Sequence, residues 1–90
     1  MSESIEIRRK RLSFRSWHRG TREMDLFLGA FADAHLEDLS EDQLARLEAL
    51  LELADPDLFA WIQGREAVPS AYDNDVMKLM QNFKFRPRSV

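Results

Sequence analysis

Thr21-Arg22-Glu23-Met24-Asp25-Leu26-Phe27-Leu28-Gly29-Ala30-Phe31-Ala32-Asp33-Ala34-His35 is the stretch that decides the fold class. Within it Met24, Phe27, Leu28, Phe31 and His35 stand at i, i+3, i+4, i+7 and i+11. A helix from about Thr21 to Asp38 gathers them on one stripe, which other elements must cover. Just downstream, Ser40-Glu41-Asp42-Gln43 reads as a capping box, with the Ser40 hydroxyl accepting from the Gln43 amide while the Gln43 side chain reaches back. The helix that starts there carries Leu44, Leu47, Leu51 and Ala54 on one face. It runs to Asp55-Pro56, where Asp caps and Pro suits the first position of a fourth helix. That helix, about Pro56 to Gln63, bears Leu58, Phe59, Trp61 and Ile62 and stops at Gly64. After a loop from Arg65 to Ser70 and the breaker Val68-Pro69-Ser70-Ala71, Asp73 and Asn74 offer caps for a last helix with Val76, Met77, Met80 and Phe83. Upstream, a first helix from about Ser4 to Ser16 sets Ile5 and Leu12 on one face, with Phe14 and Trp17 near its end and Gly20 as the break before the second helix. No stretch alternates apolar and polar residues with β-branched enrichment, so strands are not expected. The reading is all-α: a compact, single-domain antiparallel bundle of about five helices over residues 1–90, with residues 84–90 a flexible basic tail.

Composition agrees. Ninety residues hold one core, since two would each be too small to fold without disulfides or metals. With 44% hydrophobic and 32% charged residues the chain reads as soluble and globular, and no apolar run approaches the ~20 residues of a membrane span. The absence of cysteine excludes disulfides, thiolate nucleophiles and Cys-based metal sites. Arg8, Arg9, Lys10, Arg11 and Arg15 give the start a transit-peptide look, but Glu3 and Glu6 interrupt it, so a mature cytoplasmic chain without membrane insertion is expected. The net charge of −3 conceals three blocks: residues 1–22 carry +5, residues 23–75 carry −12 and residues 76–90 carry +4.

Catalytic and cofactor motifs are lacking. His18 and His35 lie seventeen residues apart, which is no metal-ligand spacing, and His35 falls on the core stripe. Three isolated glycines build neither a phosphate loop nor a nucleophile elbow, so neither an independent enzyme nor a bound cofactor or metal is expected. What stands out is Arg19-Gly20-Thr21-Arg22-Glu23 at a bend, following Phe14-Arg15-Ser16-Trp17-His18. Glu23 suits a helix start, but Arg19 and Arg22 do not. Arg beside Trp is typical of binding hot spots. Read from the residues alone, the cluster is either a protein-binding surface or a solvated turn. Arg8, Arg9, Lys10, Arg11 and Arg15 also admit a phosphate stripe for nucleic acid, against which the −12 block counts.

The motif Arg-Gly-x-x-Glu, here Arg19, Gly20 and Glu23 within Arg19-Gly20-Thr21-Arg22-Glu23-Met24-Asp25, resembles that of the succinate dehydrogenase FAD-assembly factors. The spacing to Leu39-Ser40, Asp55-Pro56-Asp57-Leu58-Phe59-Ala60-Trp61, the Pro69 loop and Asn74-Asp75-Val76-Met77 extends the resemblance over roughly residues 8 to 83. His18 departs from it, since many relatives have a second Arg before Arg19. The resemblance implies an assembly chaperone that binds the flavoprotein subunit of succinate dehydrogenase, with the fumarate reductase flavoprotein as a second candidate client. The factor would promote covalent attachment of FAD while holding no cofactor stably itself, and nucleic acid would not be a partner. On that reading Arg19 and Arg22 donate to partner carboxylates or carbonyls, Gly20 lets the two backbones approach, and Glu23 accepts from a partner donor or from Arg19. Arg15, Trp17, His18 and Asp25 are further contacts on the same side. An adaptor for another protein client is the alternative.

Overall fold

Among the described residues, three of the five helices begin where a side-chain oxygen meets an amide that the helix leaves without a partner. In the computed structural model, which describes residues 3–83, Ser4 caps α1 (Ile5–Trp17) by accepting from the Ile7 amide at 3.2 Å. Ser40 and Gln43 form the complete reciprocal box that starts α3 (Glu41–Leu51). Asn74, rather than Asp73, caps α5 (Asp75–Asn82) through the Met77 amide at 3.0 Å. Between them lie α2 (Arg22–His35) and α4 (Asp55–Ile62), and 3-10 turns occupy Leu36–Asp38 and Ser70–Tyr72. The described residues contain no strand. The all-α reading holds. The expected flexible tail at 84–90 lies outside the described residues.

Long-range contacts override three of the expected boundaries. The second helix ends at His35 and not Asp38, because the chain tightens into a 3-10 turn. Arg9 then takes the carbonyls of Leu36 (2.8 Å) and Leu39 (2.9 Å). The third helix stops at Leu51, short of Asp55, and its final carbonyls meet a guanidinium described below. Asp55 is not a cap. It is the first residue of α4, with Ala54 in the cap position making no side-chain bond.

The apolar stripe of α2 does what its spacing dictates. Met24, Leu28 and Phe31 are buried, in one core with Leu12 of α1, Leu44, Leu47 and Leu50 of α3, Leu58 and Trp61 of α4, and Val76, Met77 and Met80 of α5. Trp61 is therefore a core residue, stacked on Tyr72 at 5.6 Å. His35 sits half-buried at the core edge against Phe31 and Phe83. The main contact of α1 is with α2, and it also meets α3, while α5 packs on α3 and α4. Among the described residues no helix is long and apolar enough to cross a membrane.

Opposite charge lies across the α1–α3 contact. Arg8, Arg11 and Arg15, spaced to share one face of α1, converge on Glu48 of α3 at 3.2, 2.9 and 3.9 Å. Arg15 also reaches Glu52 at 3.2 Å, and Arg11 reaches Glu3 at 2.8 Å. The hydrogen bond from Arg11, assisted by Arg8, holds the Glu48 carboxyl below its usual range against the opposing effect of burial. Much of the basic first block is thus neutralised by the acidic middle block.

Candidate functional site

The bend that carries the Arg-Gly-x-x-Glu motif is held from two sides. Helix α1 ends at Trp17, Gly20 adopts φ of +107°, and Thr21 is extended before α2 begins. Positive φ is costly for any residue with a Cβ, which is the local reason for glycine. Asp25, one turn into α2, folds its carboxylate back onto the bend, where a single oxygen accepts from the amides of Arg19 and Gly20. Those two donors lie outside any helix ladder and would otherwise have only water.

The second hold is the side chain of Arg19. Its Nε donates to the Asp55 carboxylate at 3.0 Å, Nη2 donates to the Leu53 carbonyl at 2.8 Å and Nη1 to the Leu51 carbonyl. The Arg19 side chain keeps only 10% of its surface accessible and that of Asp55 17%. The guanidinium lies between the carbonyl end of α3, where a cation is favoured, and the amide end of α4, where the Asp55 carboxylate is favoured. Its planar fork suits that divided set of acceptors in a way a lysine ammonium cannot match. Most of the Arg19 donors expected for a partner are thus already engaged within the chain, by Asp55 and the carbonyls of Leu51 and Leu53.

What faces outward is the remainder of the bend. Gly20, Thr21, Arg22 and Glu23 are exposed, and a Cβ at Gly20 would meet nothing within 4 Å. Arg22 and Glu23 have no ion-pair partner among the described residues, and Glu23 does not bond Arg19. Beside them His18 stacks on Phe14, ring centroids 3.9 Å apart and planes 17° from parallel, and its Nδ1 donates to the Phe14 carbonyl at 2.6 Å. That bond requires a hydrogen on Nδ1, and Nε2 has no hydrogen-bond partner among the described residues. Phe14 is 63% exposed, so the Phe14–His18 stack presents an aromatic surface to solvent. Trp17 is turned toward α2, where its ring lies over Gly29 and its Nε1 donates to Asp33 at 3.3 Å.

Of the eight residues expected to meet a partner, Gly20, Arg22, Glu23 and His18 stand on the open surface. Arg19 and Asp25 shape the bend, while Trp17 and Arg15 tie α1 to α2 and α3. Sequence reasoning missed two contributors. Asp55 was hidden because Asp before Pro at a helix start already has a local explanation. Gly29 left a signal, since an isolated glycine inside a helix commonly makes room for a neighbour.

No convergent set of three or more His, Asp or Glu side chains that could hold a metal exists among the described residues. An open groove of about 510 Å³ runs between α1 and α2, but Glu6, Lys10, Asp33 and Glu37 give it a charged rim unlike the largely apolar walls of small-molecule sites. The phosphate-stripe reading fares poorly: Arg8, Arg11 and Arg15 are paired with acids and Arg9 with carbonyls, which leaves Lys10 as the one member without a partner among the described residues.

Comparison with known proteins gives a consistent picture. A family model described as the flavinator of succinate dehydrogenase matches residues 10–84. The mitochondrial succinate dehydrogenase assembly factor 2 of Dictyostelium discoideum is 42% identical over 78 residues, covering 87% of this chain and 55% of that protein. The FAD assembly factor SdhE of Acetobacter pasteurianus is 35% identical over 78 residues, covering 87% of this chain and 72% of its own length. The mitochondrial assembly factor 2-B of Drosophila willistoni is 36% identical over 81 residues, 88% of this chain and 52% of the relative. The chain thus spans about half the length of these mitochondrial relatives.

Proposed function

This chain belongs to the succinate dehydrogenase flavinator family, and on that premise we propose that it binds the flavoprotein subunit of succinate dehydrogenase and promotes covalent attachment of FAD to it. The observation that carries the reading is the Gly20 bend: a positive-φ turn held from two sides, with open space above the glycine and two oppositely charged side chains, Arg22 and Glu23, without ion-pair partners among the described residues. Such a surface lets another backbone approach Gly20 while Arg22 donates to an acceptor and Glu23 accepts from a donor. The factor makes no bond itself. It favours the flavoprotein conformation in which flavin and acceptor side chain meet, by no more than its preference for that conformation over others. FAD enters with the partner, and this chain holds none stably. The fumarate reductase flavoprotein is a second client under the same chemistry.

Deleting the gene and measuring flavin that stays with the denatured succinate dehydrogenase flavoprotein tests the proposal. Specific loss of bound flavin, restored by the wild-type chain, is expected. Unchanged flavin content would overturn it and leave an adaptor for a different client.

A further inference from the structure

Arg19 is the most heavily bonded side chain at the bend, with only 10% of its side-chain surface accessible, yet it opens the family motif. We propose that Arg19 is a positioning residue: its guanidinium latches the bend to the α3–α4 junction through Asp55 and the carbonyls of Leu51 and Leu53, and docking depends on it through the placement of Gly20, Arg22 and Glu23. The inference rests on the docking role proposed above, and adds that Asp55, thirty-six residues away, belongs to the same device.

The geometry supports this in three respects. The four acceptor contacts of Arg19 all lie within this chain, and its side chain is 10% accessible, so a partner meets little of it. The backbone of the same residue is gripped separately, since Asp25 binds its amide and that of Gly20. Side chain and main chain of one residue therefore tie the bend to both α2 and the α3–α4 junction, and the next residue is the exposed glycine. Releasing the side chain leaves the bend on the Asp25 hold alone, and a positive-φ segment held at one point samples more conformations. A partner that fits one of them then binds with a conformational cost the latch removes beforehand.

The test has a partner-dependent and a partner-free arm. In the first, docking of Arg19→Ala, Asp55→Ala and the double variant to the succinate dehydrogenase flavoprotein is measured below the melting transition of each, with Asp55→Asn as a variant that keeps the volume. Arg19→Ala is expected to weaken docking about tenfold and Asp55→Ala somewhat less, while the double variant loses no more than Arg19→Ala, because both act on one latch. Three outcomes overturn the proposal. Losses that multiply would mean separate partner contacts. Docking that survives or improves in Asp55→Ala and Asp55→Asn would mean that Arg19 touches the partner directly. Unaltered docking by fully folded variants would mean that the contact serves stability alone. The second arm follows hydrogen exchange at the Arg19 and Gly20 amides of the free chain, expected to quicken about tenfold in Asp55→Ala. Unchanged exchange overturns the latch whatever the partner does. A wild-type chain that fails to dock while exchange quickens removes the docking role and with it the positioning role, leaving a structural contact.

Discussion

The chain turns twice through a glycine of positive φ, at Gly20 (+107°) and at Gly64 (+75°), and the two turns are closed by different means. At Gly64 everything is local. The Gly64 amide bonds the Trp61 carbonyl at 3.1 Å and the Arg65 amide bonds the Ala60 carbonyl at 2.9 Å, which is the Schellman pairing that ends α4. At Gly20 nothing comparable exists. Its amide and that of Arg19 go to a carboxylate in the next helix, and the adjoining side chain reaches a junction more than thirty residues away. Both glycines open onto free space, so substitution at either meets strain in φ rather than a clash. The lesson is that a turn closed by its own helix is a terminator, whereas one closed by distant side chains is a surface whose shape the whole fold specifies.

Large substitutions at the two glycines should separate those roles most widely. Gly20→Arg places a long side chain where the partner backbone approaches, and should lower docking at least about a hundredfold while the bundle stays folded. Gly64→Arg, at a turn with no proposed partner, should leave docking within about twofold of the wild type, its strain in φ appearing in stability and not in binding. Parallel binding titrations with circular dichroism decide the matter, and equal losses at both positions would abolish the distinction.

The third glycine sharpens the comparison, because its requirement is room and not backbone angle. A Cβ at Gly29 would overlap the Trp17 ring. Gly29→Ala should therefore destabilise the chain by about 1–3 kcal/mol despite alanine's better helix propensity, through displacement of Trp17. Gly64→Ala should cost about 1 kcal/mol or somewhat more from φ alone. Chemical denaturation of the two variants gives the order, and a Gly29→Ala chain as stable as the wild type would mean that Trp17 is free to move.

These contrasts also explain what could be read in the sequence. The capping box at Ser40, the stop at Gly64 and the buried stripe of Met24, Leu28 and Phe31 rest on interactions within one or two turns, and all were legible. The end of α2 was not, since the apolar Leu36 and Leu39 continue its pattern while the carbonyls that decide its geometry answer to Arg9 on another helix. For the bend the exposed members Gly20, Arg22 and Glu23 could be picked out as unusual residues. The commitment of Arg19 to Asp55 could not, because nothing local distinguishes an arginine bound for a partner from one bound for its own fold.

The smallest effect tests whether sequence separation alone makes a tie important. Glu48 is joined to Arg8 forty residues away and to Arg11 thirty-seven away, farther than Arg19 is from Asp55, yet its side chain remains 27% accessible. Half-exposed pairs are screened by water and salt, and lose side-chain entropy in forming. Glu48→Gln should therefore cost less than about 1 kcal/mol at pH 7 and low salt, and less still in 1 M salt. The pH dependence has a definite sign. The carboxyl is held below its ordinary value of 4.5 chiefly by the Arg11 hydrogen bond. The stabilisation is therefore complete above that value and is lost as pH falls through the lower folded value. Denaturation of wild type and variant between pH 7 and pH 3 should show their difference shrinking on the acid side. A difference that is large, insensitive to salt and constant with pH would mean that the arginine cluster on Glu48 is as firmly built as the Arg19 latch, and that burial is not what separates them.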